Sequence, residues 1–152
     1  PRNTGTCKPF FNDEQNIDYK EEKGVSSITV FLQPQPGEAP QGTGGVTLYE
    51  HFEYNENQAG GEKTLVGGIP MEKYEDFKQI EYEGLAKNID DSISSIKIDG
   101  NYMAILFDGG GNKKYQGRCE VFRDNDPNLD KKTGNYIDDN AASSMKVIPV
   151  RK

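Results

Sequence analysis

Two short segments combine the side chains from which a hard cation draws its ligands. Asp90-Asp91-Ser92-Ile93-Ser94-Ser95 and Asp139-Asn140-Ala141-Ala142-Ser143-Ser144 each place an Asp/Asn pair two residues ahead of a Ser-Ser pair. Carboxylates, amides, hydroxyls and the intervening carbonyls all offer oxygen, and Ca²⁺ takes roughly six to eight oxygen ligands. Asp and Asn ahead of Ser also stabilise turns without any ion, so the residue types alone leave both uses open. The net charge of −7, from 25 acidic against 18 basic residues, favours cations as partners. Nucleic acid is disfavoured, since phosphate backbones require clustered Lys and Arg to displace counterions.

Other chemistry-bearing patterns are weaker. Asp124-Asn125-Asp126-Pro127-Asn128-Leu129-Asp130 alternates oxygen-bearing residues like the start of an EF-hand loop, and Asn12, Glu14, Asn16 and Asp18 form a parallel series. The EF-hand requires Gly at its sixth position and Glu at its twelfth, where this chain has Leu129 and Asn135. A solvated acidic loop is the expectation there. Gly109-Gly110-Gly111 with Lys113-Lys114 lacks the Gly-Lys-Ser/Thr ending of a phosphate loop and reads as a hairpin tip. His51 is the sole histidine, which excludes a multi-His zinc site and leaves no visible catalytic triad. The chain is therefore expected not to be an enzyme.

The elements that must position the acidic loops follow from a recurring pattern. Ser26-Ser27-Ile28-Thr29-Val30, Ser94-Ser95-Ile96-Lys97-Ile98 and Ser143-Ser144-Met145-Lys146-Val147 each lead two serines into apolar-polar-apolar alternation, the mark of a half-buried strand. Upstream of the first and third copies, Gly5-Thr6-Cys7 through Phe10 parallels Gly117-Arg118-Cys119 through Phe122. Such self-similarity marks a repeated supersecondary unit. Residues 1–30 then look like the back half of a unit, 31–45 like a Pro/Gly-rich linker or loop, and 46–152 like the main domain.

Within 46–152, Val46-Thr47-Leu48-Tyr49, Ile96-Lys97-Ile98, Tyr102 to Phe107 and Met145 to Ile148 read as short strands separated by Gly, Asn and Asp clusters, which predicts a sandwich of antiparallel sheets. Tyr74, Phe77 and Ile80, three apart after Pro70, predict a short helix over 70–80. Cys7 and Cys119 are able to form one disulfide, but their equivalent places in two copies argue against a simple intradomain bridge. No apolar run approaches the ~18 residues that span a bilayer. The compartment stays open, with a secreted setting favoured.

Taken together, these residues resemble the βγ-crystallin superfamily, calcium-binding microbial type. Its domain is two Greek-key motifs, each opening on an aromatic-acid pair and closing on a calcium sequence of two Asn/Asp, two free positions, Ser/Thr and Ser. Both acidic segments satisfy the closing sequence in full. Tyr49-Glu50 and Phe107-Asp108 match the openings, although Glu56 stands where the first hairpin's glycine is expected and the second reaches Tyr115-Gln116-Gly117 with three residues in excess. Glu22-Lys23-Gly24-Val25-Ser26-Ser27 is similar to a degenerate third copy, spoiled for metal by Lys23.

The resemblance implies an all-β, βγ-crystallin-like Greek-key sandwich with a short helix and an N-terminal extension, holding two Ca²⁺ per chain. Carried onto this chain, one site draws on the Ser92 carbonyl, the Ser94 hydroxyl and Asp139 or Asn140. The other draws on the Ala141 carbonyl, the Ser143 hydroxyl and Asp90 or Asp91. Backbone oxygen near Glu50 and Asp108 completes them. The implied function is a calcium-binding structural or cargo protein. A calcium-dependent cell-surface or glycan-binding module and a secreted toxin or inhibitor are the alternatives. Residues 1–30 are candidates for contact with a neighbouring domain or a second copy.

Overall fold

A computed structural model of the chain describes residues 4–6, 45–57, 63–66, 74–84, 86–130, 132, 135 and 137–150. Its strands are β1 (Thr4–Thr6), β2 (Val46–Tyr49), β3 (Lys63–Val66), β4 (Ser95–Ile98), β5 (Tyr102–Phe107), β6 (Arg118–Phe122) and β7 (Ser144–Pro149). All pairings are antiparallel, in one sheet ordered β3-β2-β4 and another ordered β1-β6-β5-β7.

In each sheet the first strand of a hairpin is central and the unit's last strand returns along its free side. β2 pairs with β3 through Val46↔Val66 and with β4 through Leu48↔Ile96. β5 likewise pairs with β6 through Phe107↔Cys119 and with β7 through Leu106↔Met145. That return beside the first strand is a Greek-key connection. The bridge Ile96↔Asp126 then carries a segment that follows β6 across to the edge of the other sheet.

Period-two alternation decides which side chains meet. From β5, Tyr102, Ala104 and Leu106 enter the main core beside Val46, Leu48, Ile96, Phe122, Met145 and Val147. Met103, Ile105 and Phe107 point to the opposite face, where Cys119 and Ile148 join them in a second apolar cluster. β5 is thus buried on both faces, which explains why its sequence is an almost unbroken apolar run.

The segment expected as a helix over 70–80 is described from Tyr74 onward, and there it forms no α-helix: Tyr74 and Phe77–Gln79 are 3₁₀, with a bend between them. The cause is a long-range bond: the Phe77 N–H donates to the Ser143 carbonyl at 2.9 Å rather than to a carbonyl of its own segment. Ile80 is already extended and accepts from the Ile89 N–H at 2.9 Å. The apolar spacing still marked core positions, since Tyr74 and Phe77 are buried. His51 lies in the bend just after β2.

Of the uses left open for residues 1–30, the described part, β1, adds to the main domain's own sheet, with Gly5 opposite Cys119. Cys119 is disulfide-bonded, and the chain's other cysteine is Cys7. The argument from equivalent positions against such a bridge fails because β1 and β6 are neighbours. The Ser26-Ser27 strand, the degenerate copy at 22–27, the Asn12 to Asp18 series and the linker at 31–44 lie outside the described residues. No helix among the described residues is long and apolar enough to cross a membrane.

Candidate metal centre

The two acidic loops lie against each other and exchange the same bond in both directions. The Asp91 N–H donates to the Ala142 carbonyl at 3.1 Å, and the Asn140 N–H donates to the Ile93 carbonyl at 3.1 Å. Second position of one loop thus meets fourth position of the other. Asp91 and Asn140 both adopt left-handed backbone, at φ 50° and 55°. Asp and Asn tolerate that region better than other side-chain-bearing residues, which gives the second member of each acidic pair a backbone reason for its residue type.

Each loop is also tied to its aromatic-acid opening. The Ser94 N–H donates to the Tyr49 carbonyl at 2.9 Å, and the Ser143 N–H to the Phe107 carbonyl at 2.8 Å. The next serines anchor the hairpin corners: the Ser95 hydroxyl donates to the His51 carbonyl at 2.7 Å, and the Ser144 hydroxyl donates to the Gly109 carbonyl. Those hydroxyls in turn accept from the Tyr54 N–H at 3.2 Å and the Tyr115 N–H at 3.1 Å. Tyr54 and Tyr115 stand edge-on to Tyr49 and Phe107, with Lys97 and Lys146 over their outer faces. Burial lowers the Lys146 pKa, against a smaller upward pull from Glu75. The sixth-position serines are therefore structural, while those in fifth position remain available to a ligand.

At the first site the Ser94 hydroxyl lies 2.6 Å from the Glu50 carbonyl, bringing together two of the expected donors. The Ser92 carbonyl accepts from the Tyr82 hydroxyl at 2.9 Å. Asp139 and Asn140 bond to each other at 2.9 Å, and no bond is observed from either side chain to Ser92 or Ser94. At the second site the Ser143 hydroxyl lies 3.2 Å from Asp91 Oδ1. Asp90 and Ser143 share an open cleft with Gly110, Asn112, Asp76 and Lys78. A Cβ at Gly110 would stand 2.6 Å from the Ser143 carbonyl, so glycine is what permits this approach. The Asp108 carboxylate is engaged by the Arg118 N–H at 2.8 Å and its Nε at 2.7 Å, which leaves backbone as this hairpin's donor.

Two atoms test whether the residues fit a cation. Asp90 Oδ1 and Asp139 Oδ1 are buried without a hydrogen-bond partner, and they occupy the first position of the two loops. An unsatisfied buried polar group costs about 1–3 kcal/mol, more when charged. A cation at each loop would supply the missing partner. No group of three or more Asp, Glu, His and Cys side chains is gathered for metal among the described residues, so a cation here would need single carboxylates together with carbonyls and hydroxyls.

Sequence reasoning missed Asp76, Lys78 and Asn112 at the second site and Tyr82 at the first. No spacing signal pointed to them, because they reach the loops from other segments. The 124–130 loop uses its acids locally instead: Asp126 accepts from the Asn128 N–H at 3.0 Å, Asn128 from the Asp130 N–H at 2.9 Å, and Asp130 from the Lys132 N–H at 2.9 Å. These are successive Asx turns.

Three solved structures are similar to the chain. One is described as "Evolution of the eye lens beta-gamma-crystallin domain fold", 23% identical, covering 84% of this chain and 96% of that one, with a TM-score of 0.48. Another is a βγ-crystallin domain from Flavobacterium johnsoniae, 22% identical, covering 68% and 93%, TM-score 0.45. The third is a βγ-crystallin from an archaeon, 22% identical, covering 69% and 98%, TM-score 0.41. No protein-family model and no curated protein matches.

Proposed function

We propose that this chain is a calcium-binding structural domain of the βγ-crystallin type, in which Ca²⁺ held by the two acidic loops fastens the sandwich and no catalytic step takes place. The observation that carries the reading is the pair of partnerless buried carboxylate oxygens, Asp90 Oδ1 and Asp139 Oδ1, at matching positions of loops that are bonded crosswise. Each loop feeds a different sheet, since Ser95 opens β4 and Ser144 opens β7. A cation that draws ligands from both loops therefore acts between the sheets. Binding to the native state alone contributes about 2.7 kcal/mol at a hundredfold excess over Kd, a large share of a small domain's stability.

The test is a calorimetric Ca²⁺ titration together with thermal melts in Ca²⁺ and in EDTA. The expected result is two sites per chain and a melting temperature that rises with Ca²⁺. Asp90→Ala, Asp139→Ala and Ser143→Ala should each weaken binding. A melting temperature unmoved by millimolar Ca²⁺ would sink the proposal.

A further inference from the structure

The two sites differ in one respect that the acidic loops do not determine. Lys78 Nζ lies 3.8 Å from Asp90 Oδ2, inside the cleft that Asp90 shares with Ser143. The two side chains are unequal partners: that of Lys78 is 66% exposed, whereas that of Asp90 is 10% exposed. The ammonium thus reaches in from solvent on a flexible stem and can leave, while the carboxylate is fixed. The turn carrying Lys78 is itself anchored, because Asp76 accepts from the Lys78 N–H at 3.1 Å and the Phe77 N–H holds the Ser143 carbonyl. At the other loop, the partner observed for Asp139 is the uncharged Asn140 amide.

We infer that Lys78 is a tethered competitor for the second cation site: its ammonium balances Asp90 in the ion-free protein and must swing out before Ca²⁺ enters. This rests on the calcium reading above and adds a rank order to it, with the second site the weaker one. It also adds a selectivity. Exchanging one single charge for another at Asp90 gains nothing electrostatically, whereas a divalent ion gains a full unit, so Na⁺ and K⁺ are poor displacers. The Lys78 end of the pairing is solvent-exposed, which makes it salt-sensitive.

The experiment is calorimetric Ca²⁺ titration of the full chain as wild type, Lys78→Gln, Ser143→Ala and the Lys78→Gln/Ser143→Ala pair. Lys78→Gln is expected to tighten one of the two sites by roughly tenfold, the scale of one partly screened charge acting on a divalent ion. The gain should disappear in the Ser143→Ala background, where the second site is disabled. By linkage, an ammonium that competes for Asp90 also steadies the metal-free form, so the metal-free melting temperature of Lys78→Gln should fall, by no more than the about 1.4 kcal/mol that a tenfold change in affinity represents. Partial loss of folding would weaken Ca²⁺ binding rather than tighten it, so it cannot imitate the result. Equal affinities in wild type and Lys78→Gln overturn the inference and leave the calcium reading standing. An equal gain with and without Ser143 also overturns it, since the lysine would then act only through overall charge. If neither wild type nor Lys78→Gln binds Ca²⁺ at millimolar concentration, the calcium reading falls, and this inference with it.

Discussion

Tyr74 and Tyr82 are both buried in the main core, yet their hydroxyls fare differently. The Tyr82 hydroxyl donates to the Ser92 carbonyl and lies 2.8 Å from Ser92 Oγ, so this ring braces the first acidic loop. The Tyr74 hydroxyl is buried without a partner, and burial pushes its pKa up from 10.0 to about 12. Its spacing from Phe77 and Ile80 marked it as apolar, and for the ring that was right; nothing in the sequence says whether a hydroxyl will find an acceptor. Tyr74→Phe should therefore stabilise the protein by about 1 kcal/mol at neutral pH, read from urea denaturation. The sign of the alkaline effect follows from the raised folded-state pKa. Tyr74's contribution is complete below pH 10 and is lost as pH rises from 10 through about 12, because the unfolded chain ionises first. The gap between the two values corresponds to no more than roughly 3 kcal/mol. Stability curves of wild type and Tyr74→Phe should diverge over that window; parallel curves would show that the Tyr74 hydroxyl is not isolated.

The hairpin corners show how elements, rather than single residues, fix the site. Glu53, Tyr54 and Asn55 take left-handed φ of 51°, 55° and 65° just ahead of Glu56, the position where a glycine was expected, and the Asn55 side chain accepts from the His51 N–H at 2.9 Å to close the turn. Ser95 and Ser144, both fully buried, hold the corners by accepting one backbone N–H and donating to one carbonyl. Replacing either serine by alanine strands two polar groups and should cost about 2–3 kcal/mol in denaturant melts, with or without Ca²⁺. A cost seen only in Ca²⁺ would assign these hydroxyls to the metal instead. The strands and the Ser-Ser entries were legible because alternation and strand-entry chemistry are local signals. β2 spans the four residues its alternation marked, Val46–Tyr49. The expected helix was not legible as a turn because its outcome depends on a long-range bond, from the Phe77 N–H to the Ser143 carbonyl. The acidic loops were legible for the same reason as the strands, while Asp76, Lys78 and Tyr82 join them only through tertiary folding.

At the scale of the whole molecule the sandwich has two kinds of fastening, on different faces. The acidic loops meet between the sheets, whereas Cys119 belongs to the apolar cluster on the opposite face of the β1-β6-β5-β7 sheet, with Met103, Ile105, Phe107 and Ile148. Repeat logic set the cysteines apart because it compared positions along the chain; pairing of β1 with β6 makes equivalent positions neighbours, with Thr6 opposite Arg118. A disulfide that closes a long loop removes conformations from the unfolded chain, and losing one typically costs about 2–5 kcal/mol. Reduction with a small thiol should therefore lower the unfolding free energy by an amount in that range, read as a lower denaturation midpoint. The bond and the acidic loops lie on different faces, linked through Phe107, which pairs with Cys119 and accepts from the Ser143 N–H, so the rise in melting temperature proposed for Ca²⁺ should persist in the reduced protein at most of its size. Scanning calorimetry of four samples, oxidised and reduced, each with Ca²⁺ and with EDTA, measures both effects at once. Loss of the Ca²⁺-induced rise on reduction would mean that the covalent fastening organises the acidic loops, and that the two faces act as one unit.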